Sequence, residues 1–149
     1  VAVGAPVGVL PLQRGADEAD ADAIAAAVPG VERRVADGPE AALARCAEVD
    51  TVVSVRLHGL ILALRAGRGH VGVDYDPKVA GFAAQTAAAV VPVPVDPAAL
   101  RAAVAAASPP DEAARRALLA RAEAGLDWLD GALRASRPRR GTASGGRAG

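Results

Sequence analysis

The 149-residue chain has no methionine, one cysteine, one lysine and three aromatic residues, one each of Trp, Tyr and Phe. A single cysteine, Cys46, excludes an internal disulfide and a cysteine-built zinc site, and it reads as a small apolar residue on a helix. No apolar run reaches the roughly 18–20 residues needed to cross a bilayer, and no signal peptide opens the chain, so the expected location is the cytoplasm. The near-absence of lysine beside abundant Ala, Arg, Gly and Pro has the look of GC-rich coding. Alanine abundance is therefore weak evidence for helix. A start at Val1 with no methionine reads as truncation or a non-ATG start.

The formal net charge of zero is a sum of unlike parts. From Arg134 to Gly149 there are five Arg and no acid, which leaves 12 positive against 17 negative charges in residues 1–133, a net of −5. An acidic body of this kind is not built to bind nucleic acid, which calls for a basic face. The basic stretch 136–149 is expected to be a disordered tail after a single domain over 1–135.

Short β-branched runs alternate with Ala/Leu-rich stretches. Strands are expected at Val7–Leu10, Val31–Val35, Thr51–Val55, Val71–Val73 and Val90–Val95. Helices are expected at about Asp17–Val28, Pro39–Glu48, a stretch through Leu60, Ile61 and Leu64, Pro77–Ala88, Pro97–Ala107 and Asp111–Leu133. This alternation specifies an α/β fold with a doubly wound, mainly parallel, Rossmann-like sheet. In the last helix, Leu118, Leu119, Leu126, Leu129 and Leu133 share one broad face, which suggests packing across the domain, with Trp128 also a packing residue.

Ligands of such sheets bind beyond the carboxyl ends of the strands, where loops enter helix N-termini. Three polar clusters fall there. In Ser54-Val55-Arg56-Leu57-His58-Gly59, a guanidinium and an imidazole lie two residues apart beside free helix N–H groups. That combination suits an anion and a proton transfer, or else a surface Arg and a His capping the helix start. In Val73-Asp74-Tyr75-Asp76-Pro77-Lys78, Asp76-Pro77 is an N-cap followed by Pro at the first helical position. Lys78 then sits in the first turn, an unfavourable place for a cation unless an anion is bound nearby. The alternative is a surface Lys paired with Asp74 or Asp76. Tyr75 either lines the same pocket or packs. The third cluster, Pro11-Leu12-Gln13-Arg14 with Asp17, offers Gln13 or Arg14 as substrate contacts, or is simply a polar loop. His70 falls at the opposite end of its strand. No dinucleotide fingerprint, P-loop or His/carboxylate metal site is present.

The segments Val53–Ala63, Ala66-Gly67 and Val71–Val79 together resemble the polysaccharide pyruvyltransferase family, in particular its CsaB-type bacterial members. Those carry R-L-H-A/G at a strand-to-helix junction and G-x-S-Y-D-P-K-V downstream. The Pro11-Leu12-Gln13 loop with its nearby Asp also fits. The chain departs at Asp74, where the pattern has Ser, and at Gly69, where a Pro precedes the strand. The resemblance covers residues 7–107.

The resemblance implies the C-terminal half of a two-domain, GT-B-like enzyme, with the N-terminal half-domain as a missing partner. It implies transfer of a pyruvyl ketal from phosphoenolpyruvate, as co-substrate, to a cell-wall or exopolysaccharide sugar such as N-acetylmannosamine. It also implies a lipid-linked acceptor at the inner membrane face, and no metal or other cofactor. His58 is the expected catalytic acid/base or phosphate ligand, with Arg56, Lys78, Tyr75 and Gln13 as substrate-binding residues. Two alternatives share the architecture. A GT-B nucleotide-sugar glycosyltransferase or epimerase would want a ribose-binding carboxylate and a diphosphate loop, neither evident here. A non-catalytic anion-binding module needs neither.

Overall fold

The computed structural model describes residues 6–136. Five strands alternate with helices: β1 (Val7–Val9), α1 (Glu18–Ala27), β2 (Val31–Arg33), α2 (Pro39–Ala47), β3 (Thr51–Ser54), α3 (Leu57–Arg65), β4 (Gly69–Asp74), α4 (Pro77–Thr86), β5 (Ala89–Pro92), α5 (Pro97–Ala106) and α6 (Glu112–Ser136). Every expected element is present, with ends moved by a few residues. Two compact units divide after Arg115. All strands, and the helices up to α5, belong to the first.

All strand pairs are parallel, so the class is α/β and Rossmann-like. The single continuous sheet expected from the sequence is instead two pieces, β1-β2 and β3-β4-β5, with no ladder joining β1 to β3 among the described residues. β1 is three residues long and is bounded by Pro6 and Pro11, which have no N–H with which to extend a ladder, so it offers little backbone for a second pairing. β1 pairs with β2, and β4 lies between β3 and β5. Loops at the carboxyl ends of such parallel strands are where α/β proteins bind ligands.

The core of the first unit lies between β3-β4-β5 and the helices α3 and α4. Leu60, Ala63 and Leu64 recur at helical spacing on α3, and Val79 and Ala83 do so on α4; all five are buried. Opposite them runs β4, buried from Gly69 to Val73 as the middle strand of its sheet. Close approach here depends on Gly72. A Cβ at that position would lie 2.8 Å from Val79 Cγ1 and 3.4 Å from Leu60 Cδ1. Cys46 is a buried residue of α2, and burial pushes its thiol up.

His70, near the amino end of β4, is buried and satisfied on both ring nitrogens, 3.1 Å from the Arg68 carbonyl and 3.0 Å from Thr86 Oγ1. It is a structural residue at the end of the strand away from the three clusters.

The second unit runs from Arg116, and its described part is the continuation of α6. The packing expected of this helix is only partly seen. Leu118 and Leu119 are half-buried, whereas Trp128 is 73% exposed and Leu126 67%, with Leu129 also exposed. Among the described residues of its unit the helix has no second element to bury them. The expected tail lies, beyond Ser136, outside the described residues.

Candidate functional site

The site starts from three strand ends. After β1 the chain makes a tight turn in which the Gln13 carbonyl accepts from the N–H groups of Ala16 (3.2 Å) and Asp17 (3.0 Å). Asp17 stands at the N-cap of α1 yet makes no side-chain cap bond. Its carboxylate is turned to other donors. Oδ2 accepts from the backbone N–H of Leu12 (3.1 Å) and of Gln13 (2.9 Å). Oδ1 accepts from Arg56 Nε (3.2 Å) and Nη2 (2.6 Å), across from the end of β3.

Arg56 is in turn set by its own junction. Ser54 Oγ donates to the Arg56 carbonyl (2.8 Å) and accepts from the Arg56 N–H (3.0 Å), a side-chain turn that aims residue 56 out of the strand. The same hydroxyl leaves no room above it. A Cβ on Gly59 would clash with Ser54 Oγ and lie 2.8 Å from Ser54 Cβ and 3.2 Å from Leu12 Cδ1. Gly59 thus lets the first turn of α3 settle on the end of β3 and against the β1 loop.

Charge is fixed by this geometry. Burial alone would push the Asp17 carboxyl up, but hydrogen bonds from Arg56, Gln13 and Leu12, together with the Arg56 charge, outweigh it and hold the group below its ordinary value. The hydrogen bond to Asp17 leads in holding the Arg56 guanidinium above its ordinary value, against partial desolvation. The Asp17 charge and a smaller contribution from Tyr75 act in the same direction. Tyr75, after β4, is exposed and lies near enough to Arg56 to add to that effect, while the hydrogen bonds themselves join Asp17 and Arg56, from the clusters after β1 and β3.

His58 and Lys78 stand as a matched pair in their elements. His58 is the second residue of α3 and Lys78 the second of α4. Both side chains are exposed, and neither has an ion pair or side-chain hydrogen bond among the described residues. The Lys78 backbone N–H donates to the Asp76 cap (2.9 Å), but the ammonium is not paired with Asp74 or Asp76. Neither α3 nor α4 has an acid in its first turn, whereas α1 and α2 do. Helix N-termini normally favour anionic side chains by about 0.3–1 kcal/mol; α4 already has the Asp76 carboxylate at its cap, whereas the start of α3, with no side-chain cap, suits an anion supplied from outside.

Gln13 has an exposed side chain in the β1 turn. Arg14, its neighbour, points away to Asp37 at 2.5 Å, both ends highly exposed. Asp17, which the sequence offers only as a nearby acid, is instead the residue on which the others converge. No group of three or more His, Cys, Asp or Glu side chains able to hold a metal occurs among the described residues. No helix among them is long and apolar enough to cross a membrane.

The fold and site define a parallel α/β protein with an arginine, a tyrosine and two unpaired basic groups borne at the carboxyl ends of its strands. Residues 8–77 match the family model described as Polysaccharide pyruvyl transferase, and the match supports that family for this chain. It takes in the Asp17 turn, the whole Ser54–Gly59 junction and Tyr75, and stops one residue before Lys78. No match was found among the curated proteins.

Proposed function

We propose that the chain is the donor-side, C-terminal half of a CsaB-type polysaccharide pyruvyltransferase that takes the pyruvyl group from phosphoenolpyruvate. The observation that carries this reading is the Arg56 guanidinium held on the Asp17 turn, with Tyr75 nearby, at the carboxyl ends of the strands and inside the segment that matches the family model.

Phosphoenolpyruvate presents a carboxylate and a phosphate, so its site needs two positive grips. Arg56 supplies a planar fork suited to bidentate bonding with one of them. Lys78 supplies a compact charge for the other, and the start of α3, which has no side-chain cap, adds to it. Tyr75 and Gln13 border the same region with hydroxyl and amide groups.

Chemistry begins with protonation of the methylene carbon, which leaves positive charge at C2. A sugar hydroxyl adds there and loses its proton. The C2–O bond to phosphate then breaks, and a second hydroxyl adds and loses its proton to close the ketal. Two C–O bonds form and one breaks. Of the two protons released, one matches the proton taken up by carbon and one leaves with phosphate. His58, an exposed imidazole at the second position of α3, is the group suited to pass protons at this position. The acceptor in this reading is a cell-wall or exopolysaccharide sugar, carried on a lipid at the inner membrane face.

The test is incubation of the chain, alone and with a longer upstream region, with phosphoenolpyruvate and an N-acetylmannosamine-containing acceptor. Phosphate release and ketal formation are followed by NMR. Activity is expected only with the longer protein, and it should fall sharply in Arg56→Ala and His58→Ala. Full activity in either variant would remove that residue from the site.

A further inference from the structure

We infer that Asp17 is a positioning residue that strengthens anion binding by holding Arg56 in one orientation, even though its own charge repels the anion. The inference rests on the reading of Arg56 as a phosphoenolpyruvate contact.

The geometry is that of a clamp with two anchored ends. One carboxylate oxygen is fixed by two backbone N–H groups of the β1 turn, and the other takes both Nε–H and an Nη2–H of Arg56. A guanidinium carries five N–H donors in a rigid plane. Two are consumed along the Nε/Nη2 edge, which leaves the Nη1/Nη2 end as the fork available to a ligand. An arginine side chain free in water would lose rotamer entropy on binding, and the clamp removes part of that loss in advance. The clamp also ties the turn after β1 to the junction after β3 at a point where no backbone ladder joins the two strands.

The sign of one measurement separates this from its rivals. If Asp17 acted only through its charge, or competed with the ligand for Arg56, replacing it by the isosteric neutral amide would tighten anion binding. If it positions Arg56, the same replacement loosens binding. One amide oxygen cannot serve both the turn N–H groups and the guanidinium, and the amide NH2 meets only donors on the other side.

Phosphoenolpyruvate binding is measured by titration calorimetry for the wild-type chain, Arg56→Ala, Asp17→Asn, Asp17→Glu and the double variant Asp17→Asn/Arg56→Ala. Circular dichroism establishes that each is folded at the working temperature. Positioning predicts about tenfold weaker binding for Asp17→Asn, and weaker binding for Asp17→Glu although charge is kept. The double variant should be no weaker than Arg56→Ala alone, since the two residues act as one unit. Unchanged or tighter binding in folded Asp17→Asn overturns the inference.

The 15N-detected Nε–H signal of Arg56 in the wild type needs no variant to fold beyond one used for assignment. A slowly exchanging, restricted guanidinium supports the clamp, and a freely rotating one overturns it. Failure of the functional reading looks different: the wild type and Arg56→Ala would bind phosphoenolpyruvate equally or not at all, while the NMR result for the clamp still stands or falls by itself.

Discussion

Replacing Gly59 by Ala tests whether the strand-to-helix junction is built around Ser54. At most positions in a helix this exchange stabilises, by about 1 kcal/mol, because Ala has the higher helix propensity. Here the added Cβ would lie 2.8 Å from Ser54 Cβ and closer still to its hydroxyl, with Leu12 Cδ1 at 3.2 Å. Ser54 is 8% exposed, and its hydroxyl is engaged at both the Arg56 carbonyl and the Arg56 N–H, so it has little freedom to retreat. Overpacking of this kind costs about 1–3 kcal/mol. Loss of one of the two hydrogen bonds adds about 0.5–1.5 kcal/mol. Set against the propensity gain, the net expectation is a loss of about 1–3 kcal/mol. With a urea slope of about 1–3 kcal/mol per molar, that moves the midpoint down by about 1 M. Removing the obstructing hydroxyl should return part of the loss, so Gly59→Ala is expected to cost less in a Ser54→Ala background. An unfolding midpoint equal to or above wild type in Gly59→Ala would refute the reasoning. So would an unchanged cost in the Ser54→Ala background, because the clash would then lie elsewhere.

Other outcomes follow from the same geometry. Because Asp17 is held below the ordinary carboxyl value, the folded state binds fewer protons than the unfolded one between the two values. Its contribution is therefore complete above about pH 4 and lost as pH falls through the lowered folded value; urea titrations from pH 2 to 6 should show this component missing in Asp17→Asn. Leu60→Ala, at a fully buried position facing Gly72, should cost about 2–5 kcal/mol in chemical denaturation. Arg14→Ala breaks only an exposed ion pair with Asp37 and should shift stability by less than about 1 kcal/mol. Lys78→Gln removes a cation from the first turn of α4 and should leave stability unchanged or raise it by up to about 1 kcal/mol while weakening phosphoenolpyruvate binding; a clear loss of stability would show the lysine to be a structural residue.

The order of elements is local information, and the sequence carries it well. Pro39, Pro77 and Pro97 each open a helix at its first position, and β-branched runs mark β3, β4 and β5. Sheet continuity is not local. Whether β1 forms a ladder with β3 depends on segments more than 40 residues apart, and the three residues of β1 do not announce it. Within the site, Arg56, His58 and Lys78 stand out as basic groups after strands. Asp17 does not, because in the sequence it is only an acid near the loop after β1. Its part was legible only in three dimensions: its carboxylate serves the Leu12 and Gln13 amides and Arg56 rather than the first turn of α1. Ser54 and Gly59 were visible as letters of a motif, but their mutual fit required coordinates.

The way the chain distributes its arginines sharpens the case for the three basic groups at the strand ends. Arg14, Arg33, Arg34, Arg45, Arg115 and Arg134 each find a carboxylate on the surface. These are pairings of little energetic consequence, since exposed ion pairs contribute about 0–1 kcal/mol. Arg56 is different in kind: its carboxylate is held from behind by backbone amides, so the pair has one orientation rather than many. His58 and Lys78 differ in the opposite way, standing unpaired at helix starts in a body with an excess of acids. Pairing would have been easy to arrange in such a body. One basic group held rigid and two left open, all on the carboxyl side of parallel strands, is the division of labour a site needs when it must orient an anion with one contact and leave others free to engage it as it reacts.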